Sequence, residues 1–254
     1  MEWFDALILG VVEGVTEFLP ISSTGHLILV SSLLGIEQTN THKTFEVVIQ
    51  LGSILAVIFV FKKRLFHSLE LWKRLIVGFI PTAILGFTLY KFIKSLFNSE
   101  TVAYMLIVGG VVFILVELFY KEKDYHVDSV EQVSYKQAFL IGLFQSLAMI
   151  PGTSRSGTTI IGGILIGLKR KTATEFSFLL AIPTMLVATI YDMLKNYNEF
   201  DFSQAQALGI GFTTAFIVAL IIVKWFLNFV KKHNFIPFGI YRIVIGFIFL
   251  GVVL

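Results

Sequence analysis

The chain has 254 residues and a net charge of +3; 56% of its residues are hydrophobic and its mean hydropathy is +0.83. Only 15% are charged, where a soluble domain carries about 25%, so the apolar excess has no aqueous surface and the chain reads as one all-α integral membrane domain, residues 1–254. The small charge excludes a nucleic-acid footprint, and the absence of cysteine excludes disulfides and thiolate metal sites.

No basic stretch precedes the first apolar segment, so no cleaved signal peptide is expected. Region 3–35 opens as a short apolar helix, is interrupted by EGVTEFLPISSTGH (Glu13 to His26), and resumes as a second short apolar helix. Apolar segments follow at about 45–61, 74–94 and 101–119, each near the roughly 20 residues that a bilayer requires. Region 135–168 repeats the first pattern around the break PGTSRSGTT, and further apolar segments cover 173–195, 205–230 and 237–254. Pro81 and Pro183 fall inside two of the six segments and predict kinks there. Neither half of the two interrupted regions is long enough to span. Such broken helices are tolerated at membrane depth only when buried in protein or lining a wet cavity. Both therefore read as re-entrant hairpins that enter and return on one side.

The interrupted regions resemble each other. Ala6 matches Ala138, Gly10 matches Gly142 and Glu13 falls on Gln145. After a one-residue gap, Pro20 falls on Pro151 and Ser23 on Ser154, and downstream Glu46 lies near Glu175. This order predicts duplicated halves of about 1–120 and 121–254. With residues 62–74 in the cytoplasm, threading six spans and two hairpins puts 14 lysines and arginines on that side against 4 opposite. The first hairpin then enters from outside and the second from inside, as an inverted repeat requires.

Glu13 and Glu17 are four apart and share a helix face. Two carboxylates that close at low dielectric need a cation, a basic partner or a shared proton. Ser22, Ser23, Thr24 and His26 follow within nine residues of Glu17. Ionisable groups inside a membrane are functional by default. Arg155 is the only basic residue in either break. Ser154, Ser156 and Thr158 surround it, and Gly152 and Gly157 permit close backbone approach. A helix starting after each break would aim free N–H groups and a positive dipole end at the break, and a guanidinium adds bidentate oxyanion recognition. The set suits phosphate chemistry with an oxygen-liganded divalent cation, Mg²⁺ or Ca²⁺, on Glu13 and Glu17.

The stretches EGVTEFLPISSTGH and PGTSRSGTT, together with the length, span count and repeat, resemble the bacterial undecaprenyl-diphosphate phosphatase family, also known for bacitracin resistance. The resemblance implies that Glu13 and Glu17 act on metal and water and that His26 is the catalytic imidazole. It makes Ser23, beside Ser22 and Thr24, a nucleophile or phosphate ligand. Arg155 would bind the diphosphate with Ser154, Ser156 and Thr158. It further implies hydrolysis of the polyprenyl lipid undecaprenyl diphosphate to the monophosphate carrier of peptidoglycan and cell-wall synthesis. That work would be done in the bacterial cytoplasmic membrane, at a site open to the extracytoplasmic side. Ser23, His26 and an activated water all stay open as the nucleophile, and both monomer and homodimer stay open as the assembly. The alternative is a lipid-phosphate flippase or small-anion transporter, since inverted repeats with broken helices are also transporter architecture. A second lipid phosphatase superfamily is excluded, because SRSGTTIIGGILIGLKRK lacks the histidine that follows its SR motif. His42, His67, His126 and His233 read as loop residues solvated at the interface. Arg242 reads as snorkelling to the cytoplasmic interface, and Glu117 and Asp192 as polar span ends.

Overall fold

A computed structural model describes residues 2–124, 126–195 and 205–253. The connection expected after residue 195 lies outside them. Among the described residues the chain is helical: α1 Trp3–Thr16, α2 Ser23–Leu33, α3 Asn40–His67, α4 Leu69–Thr88, α5 Tyr90–Ser95, α6 Ser99–Phe119, α7 Tyr135–Ser146, α8 Arg155–Leu165, α9 Arg170–Lys195, α10 Ala205–Phe229 and α11 Ile236–Val252. Five of these (α3, α4, α6, α9, α10) are long and apolar enough to cross a membrane.

The sixth apolar segment forms α11, whose 17 residues rise only about 26 Å against a hydrocarbon core of about 30 Å. The segment expected at 74–94 is divided. Ser68 caps α4 by accepting the Leu71 N–H at 3.1 Å. At the other end the Thr88 hydroxyl donates back to the Ile84 carbonyl at 2.8 Å, and Leu89 leaves helical geometry before α5 starts. Both α4 and α9 continue as helices through Pro81 and Pro183.

The interrupted regions are broken where the sequence predicts. Helices α1, α2, α7 and α8 have 14, 11, 12 and 11 residues, so none reaches across about 30 Å alone. Helix α1 packs against α10, and α7 packs against α4; α3 lies on α9, and α6 lies on α11. Small residues set these contacts, as expected where lipid supplies no hydrophobic drive between helices. A Cβ on Gly142 of α7 would stand 2.0 Å from the Gly78 carbonyl of α4, and one on Gly10 of α1 would stand 2.6 Å from the Gly211 carbonyl of α10.

One end of the bundle gathers basic residues. A cavity of about 580 Å³ is lined by Lys169, Arg170, Lys171, Lys231 and Lys232 with Glu122 and Asp128. Nearby, Arg64 pairs with Glu175 at 2.6 Å and with Glu131 at 3.6 Å. Glu117 is not a solvated span end. It is buried, its Oε2 accepts from Arg170 at 2.5 Å, and its Oε1 accepts the Phe235 N–H at 3.1 Å, which ties α6 to α9 and to the start of α11. A carboxylate one turn from a helix end is in reach of water only if no neighbour covers that end, and here two do. Asp192 is half-buried near the end of α9.

Candidate active site

Each break is built on the same backbone device. Ser22 and Ser154 both adopt positive φ, 71° and 77°, a strained setting for a residue with a Cβ. Each then starts a helix. The Ser22 hydroxyl accepts the Gly25 N–H and the Ser154 hydroxyl accepts the Gly157 N–H, while their carbonyls accept the N–H of His26 and Thr158. The helices so begun close on Gly35 and Gly167, both at positive φ. Geometry therefore pairs Ser22, not Ser23, with Ser154. With that pairing no gap is needed, because Ala6/Ala138, Gly10/Gly142, Glu13/Gln145, Ser22/Ser154 and Gly35/Gly167 all fall at one constant spacing. Pro20 and Pro151 are chemically alike but stand one position off this spacing; backbone conformation decides the pairing.

The breaks meet inside the bundle. Arg155 Nη2 donates to Glu17 Oε1 at 3.0 Å, and Ser23 Oγ donates to Glu17 Oε2 at 2.5 Å. The guanidinium also donates through Nη1 to the Ser177 carbonyl at 3.1 Å and lies 5.4 Å from the Phe18 ring centroid. Arg155 Nε, also buried, has no partner. A cavity of about 340 Å³ opens beside this pair. Its polar lining includes Glu17, Ser22, Ser23, Thr24, Ser154 and Arg155 with Gln50 of α3, and its apolar lining includes Ile93, Phe97, Met149 and Met185. Gly152 also lines it at φ 86°; a Cβ there would meet the Val102 carbonyl at 2.4 Å.

Other expected site residues stand apart from this lining. Ser156 is buried and donates to the Leu19 carbonyl at 2.8 Å, so it joins the two breaks. The Thr158 hydroxyl donates to the carbonyls of Ser154 and Arg155, and Gly157 packs against Phe113. His26 is buried; its Nδ1 lies 2.8 Å from the Ser22 carbonyl and its Nε2 2.8 Å from the Tyr241 hydroxyl, with the two rings stacked. Glu13 is fully buried, and neither carboxylate oxygen makes a hydrogen bond. The charges of Glu17, Glu46 and Arg155 act on it, and the Ser53 hydroxyl, itself buried and unpartnered, lies beside it outside hydrogen-bond geometry. Among the described residues no cluster of three or more acids or histidines has metal-binding geometry. The two orphaned oxygens of Glu13 nevertheless fit a hard cation, because a buried carboxylate without any partner is otherwise costly.

Two expectations are corrected. Arg242 does not snorkel. It is fully buried and donates to the carbonyls of Leu106, Met105, Pro20, Gly152 and Thr153 at 2.9–3.3 Å. Nothing in the one-dimensional pattern distinguishes an arginine one turn into a span that faces lipid from one that faces protein. His42 is not a solvated loop residue either. It lies in the first turn of α3, is buried, and pairs with Ser31 at 3.0 Å and Glu46 at 3.3 Å. His67 and His233 are exposed, and His126 is half-buried against Tyr120. Gln50 and Tyr241 escaped sequence reading. Gln50 stands one helical turn from Glu46 on the face that leads to Ser53, and that polar spacing was the available signal.

The profile of the bacitracin resistance protein BacA family matches residues 6–248. The chain belongs to this family. An undecaprenyl-diphosphatase of Persephonella marina is 62% identical over 250 residues, and one of Wolinella succinogenes is 60% identical over 250; each alignment covers 98% of both chains. A third, of Sulfurihydrogenibium sp., is 61% identical over 249 residues with the same coverage. Family membership thus extends over both breaks and all the residues that line the cavity between them.

Proposed function

We propose that this chain is a multi-pass membrane undecaprenyl-diphosphatase, which removes the terminal phosphate of undecaprenyl diphosphate and so recycles the carrier lipid and confers bacitracin resistance. The observation that carries the reading is the contact of Glu17 with both Arg155 and Ser23 at a cavity lined by both polar and apolar side chains. The diphosphate takes the polar side chains of that lining. Arg155 and the N–H groups that open α2 and α8 face its charge. The prenyl chain leaves past Ile93, Phe97, Met149 and Met185.

Ser23 is the proposed nucleophile. Its hydroxyl proton passes to Glu17 Oε2 as Oγ bonds to the terminal phosphorus, and the bond from that phosphorus to the bridging oxygen breaks, releasing the lipid monophosphate. Water then attacks the phosphorus of the phosphoserine, the bond from phosphorus to Ser23 Oγ breaks, Oγ regains the proton held on Glu17, and the protons of the water leave with inorganic phosphate. His26 holds Ser22 from behind, through the Ser22 carbonyl and Tyr241, rather than entering the cavity. Glu13 and Glu17 would hold Mg²⁺ or Ca²⁺, which when bound would neutralise phosphate charge.

The broken regions are proposed as re-entrant hairpins of an inverted repeat with six spans, α11 completing the set. The packing supports this: exchanging the first half for the second turns the α1–α10 contact into the α7–α4 contact and leaves α3–α9 and α6–α11 unchanged. The residues that gather at the basic end are those that the charge bias assigns to the cytoplasm. The cavity is lined instead by Ile93 and Phe97, beside Lys91 and Lys94. That supports a site open to the outer face of the cytoplasmic membrane.

The deciding assay is phosphate release from undecaprenyl diphosphate by purified protein in detergent, with a phospho-adduct trapped and mapped. Release with the adduct on Ser23 is expected. Tight binding of the lipid without release would make the protein a carrier, and an adduct on His26 would replace the nucleophile.

A further inference from the structure

Arg242 is the one guanidinium among the described residues that is fully buried, and its hydrogen-bond partners are all main-chain carbonyls. Its Nη1 donates to Pro20 at 3.1 Å and Thr153 at 3.0 Å, its Nη2 to Gly152 at 3.0 Å and Met105 at 2.9 Å, and its Nε to Leu106 at 3.3 Å. Pro20 belongs to the first break, Gly152 and Thr153 to the second, and Met105 and Leu106 to α6. One side chain from α11 therefore grips both breaks and the helix behind them. Carbonyls turned toward a cation are the complement of an anion site. In a trans peptide the N–H opposes the C=O, so the grip on the Thr153 carbonyl directs the Ser154 N–H away from Arg242.

The cradle is built for this arginine. A Cβ on Gly109 would stand 2.1 Å from Arg242 Nη2, and one on Gly110 would stand 2.5 Å from the Gly239 carbonyl. The glycine pair lets α11 close on α6 and lets the guanidinium reach carbonyls that α6 also uses in its own helix. Pro20 is three residues from both Glu17 and Ser23, and Thr153 is two from Arg155. A shift of either break therefore separates the Glu17–Arg155 pair.

We propose that Arg242 is a positioning residue, a carbonyl clamp that holds the two breaks in the register at which Arg155, Glu17 and Ser23 meet. Its catalytic consequence rests on the proposed phosphatase activity; its structural consequence does not. The test uses the full chain in detergent with Arg242→Met, Arg242→Lys and Gly109→Ala, the last keeping the arginine but occupying its cradle. Hydrogen exchange of amides 18–26 and 150–158 is expected to rise about tenfold or more in Arg242→Met and Gly109→Ala, with α3 and α10 unchanged. The kcat per folded molecule is expected to fall about 100-fold in both, as misalignment of about 1 Å allows, with partial recovery in Arg242→Lys. Wild-type exchange in the breaks, or a rise spread evenly over all helices, would overturn the clamp; so would an unchanged kcat per folded molecule when the wild type is active. A wild type that releases no phosphate refutes the activity instead, and exchange alone then decides. Should Arg242→Met fail to fold, Gly109→Ala and Arg242→Lys decide on the same readouts.

Discussion

The two breaks share a backbone and differ in what they leave unpaired. In the second, Gln145 stands where the first has Glu13. Its amide donates to the Thr82 and Thr184 hydroxyls at 2.9 and 3.1 Å and is buried with its partners made. Glu13 is buried to the same degree with neither oxygen partnered. Met149 stands where the first break has Glu17, and Arg155 where it has Ser23. The strained serine, its capping bond and the closing glycine are common to both. Those features are what a broken helix needs to fold inside a membrane. The acids on one side and the guanidinium on the other are not needed for that, and so they mark the chemistry.

The comparison breaks most completely at the contact that joins the halves. Glu17→Ala is expected to lower kcat/KM by about 10³-fold or more with the fold retained, because both Ser23 and Arg155 lose their partner. Near-normal phosphate release would remove Glu17 from the site. Arg155→Lys is expected to fail nearly as badly, since Arg155 reaches Glu17 and the Ser177 carbonyl with separate nitrogens and a point charge holds one at best. Full activity in that variant would sink the argument from planarity.

Glu13→Gln makes the first break resemble the second. It should lower activity about 100-fold and abolish any response to added Mg²⁺ or Ca²⁺, while raising stability by about 1 kcal/mol or more as an orphaned buried carboxylate becomes an amide. Thermal denaturation reads the second effect independently of the first. A variant that is both less active and less stable would mean that Glu13 is structural. The smallest effect belongs to the shared device. Ser154→Gly relieves the positive φ but removes the cap to Gly157, so its stability change should stay within about 1 kcal/mol of zero. A larger loss would show the Ser154 hydroxyl doing more than capping.

Much of this molecule is legible residue by residue. The apolar segments, the two interruptions, their resemblance, and the need of the buried acids for a cation, a basic partner or a shared proton follow from cost. A charge or a helix break inside lipid is expensive enough that its presence demands a partner, and the chain offers few. The exceptions are instructive. Arg242, Glu117 and His42 each lie one turn from a predicted helix end, where sequence cannot separate a side chain reaching for water from one reaching into protein. His26 satisfies a family motif, yet its ring turns to Tyr241 on α11.

By itself, then, the sequence determined that this is a helical membrane protein with two polar interruptions of opposite charge character, because hydropathy and the price of buried charge are local properties of a segment. Only the tertiary structure decided which hydroxyl touches Glu17, which serine corresponds to which, and that a fifth element, α11, clamps the breaks through Arg242. Those depend on how helices distant in the chain approach one another, and small-residue contacts such as Gly109 against Arg242 and Gly142 against Gly78 set that approach without leaving a periodic trace.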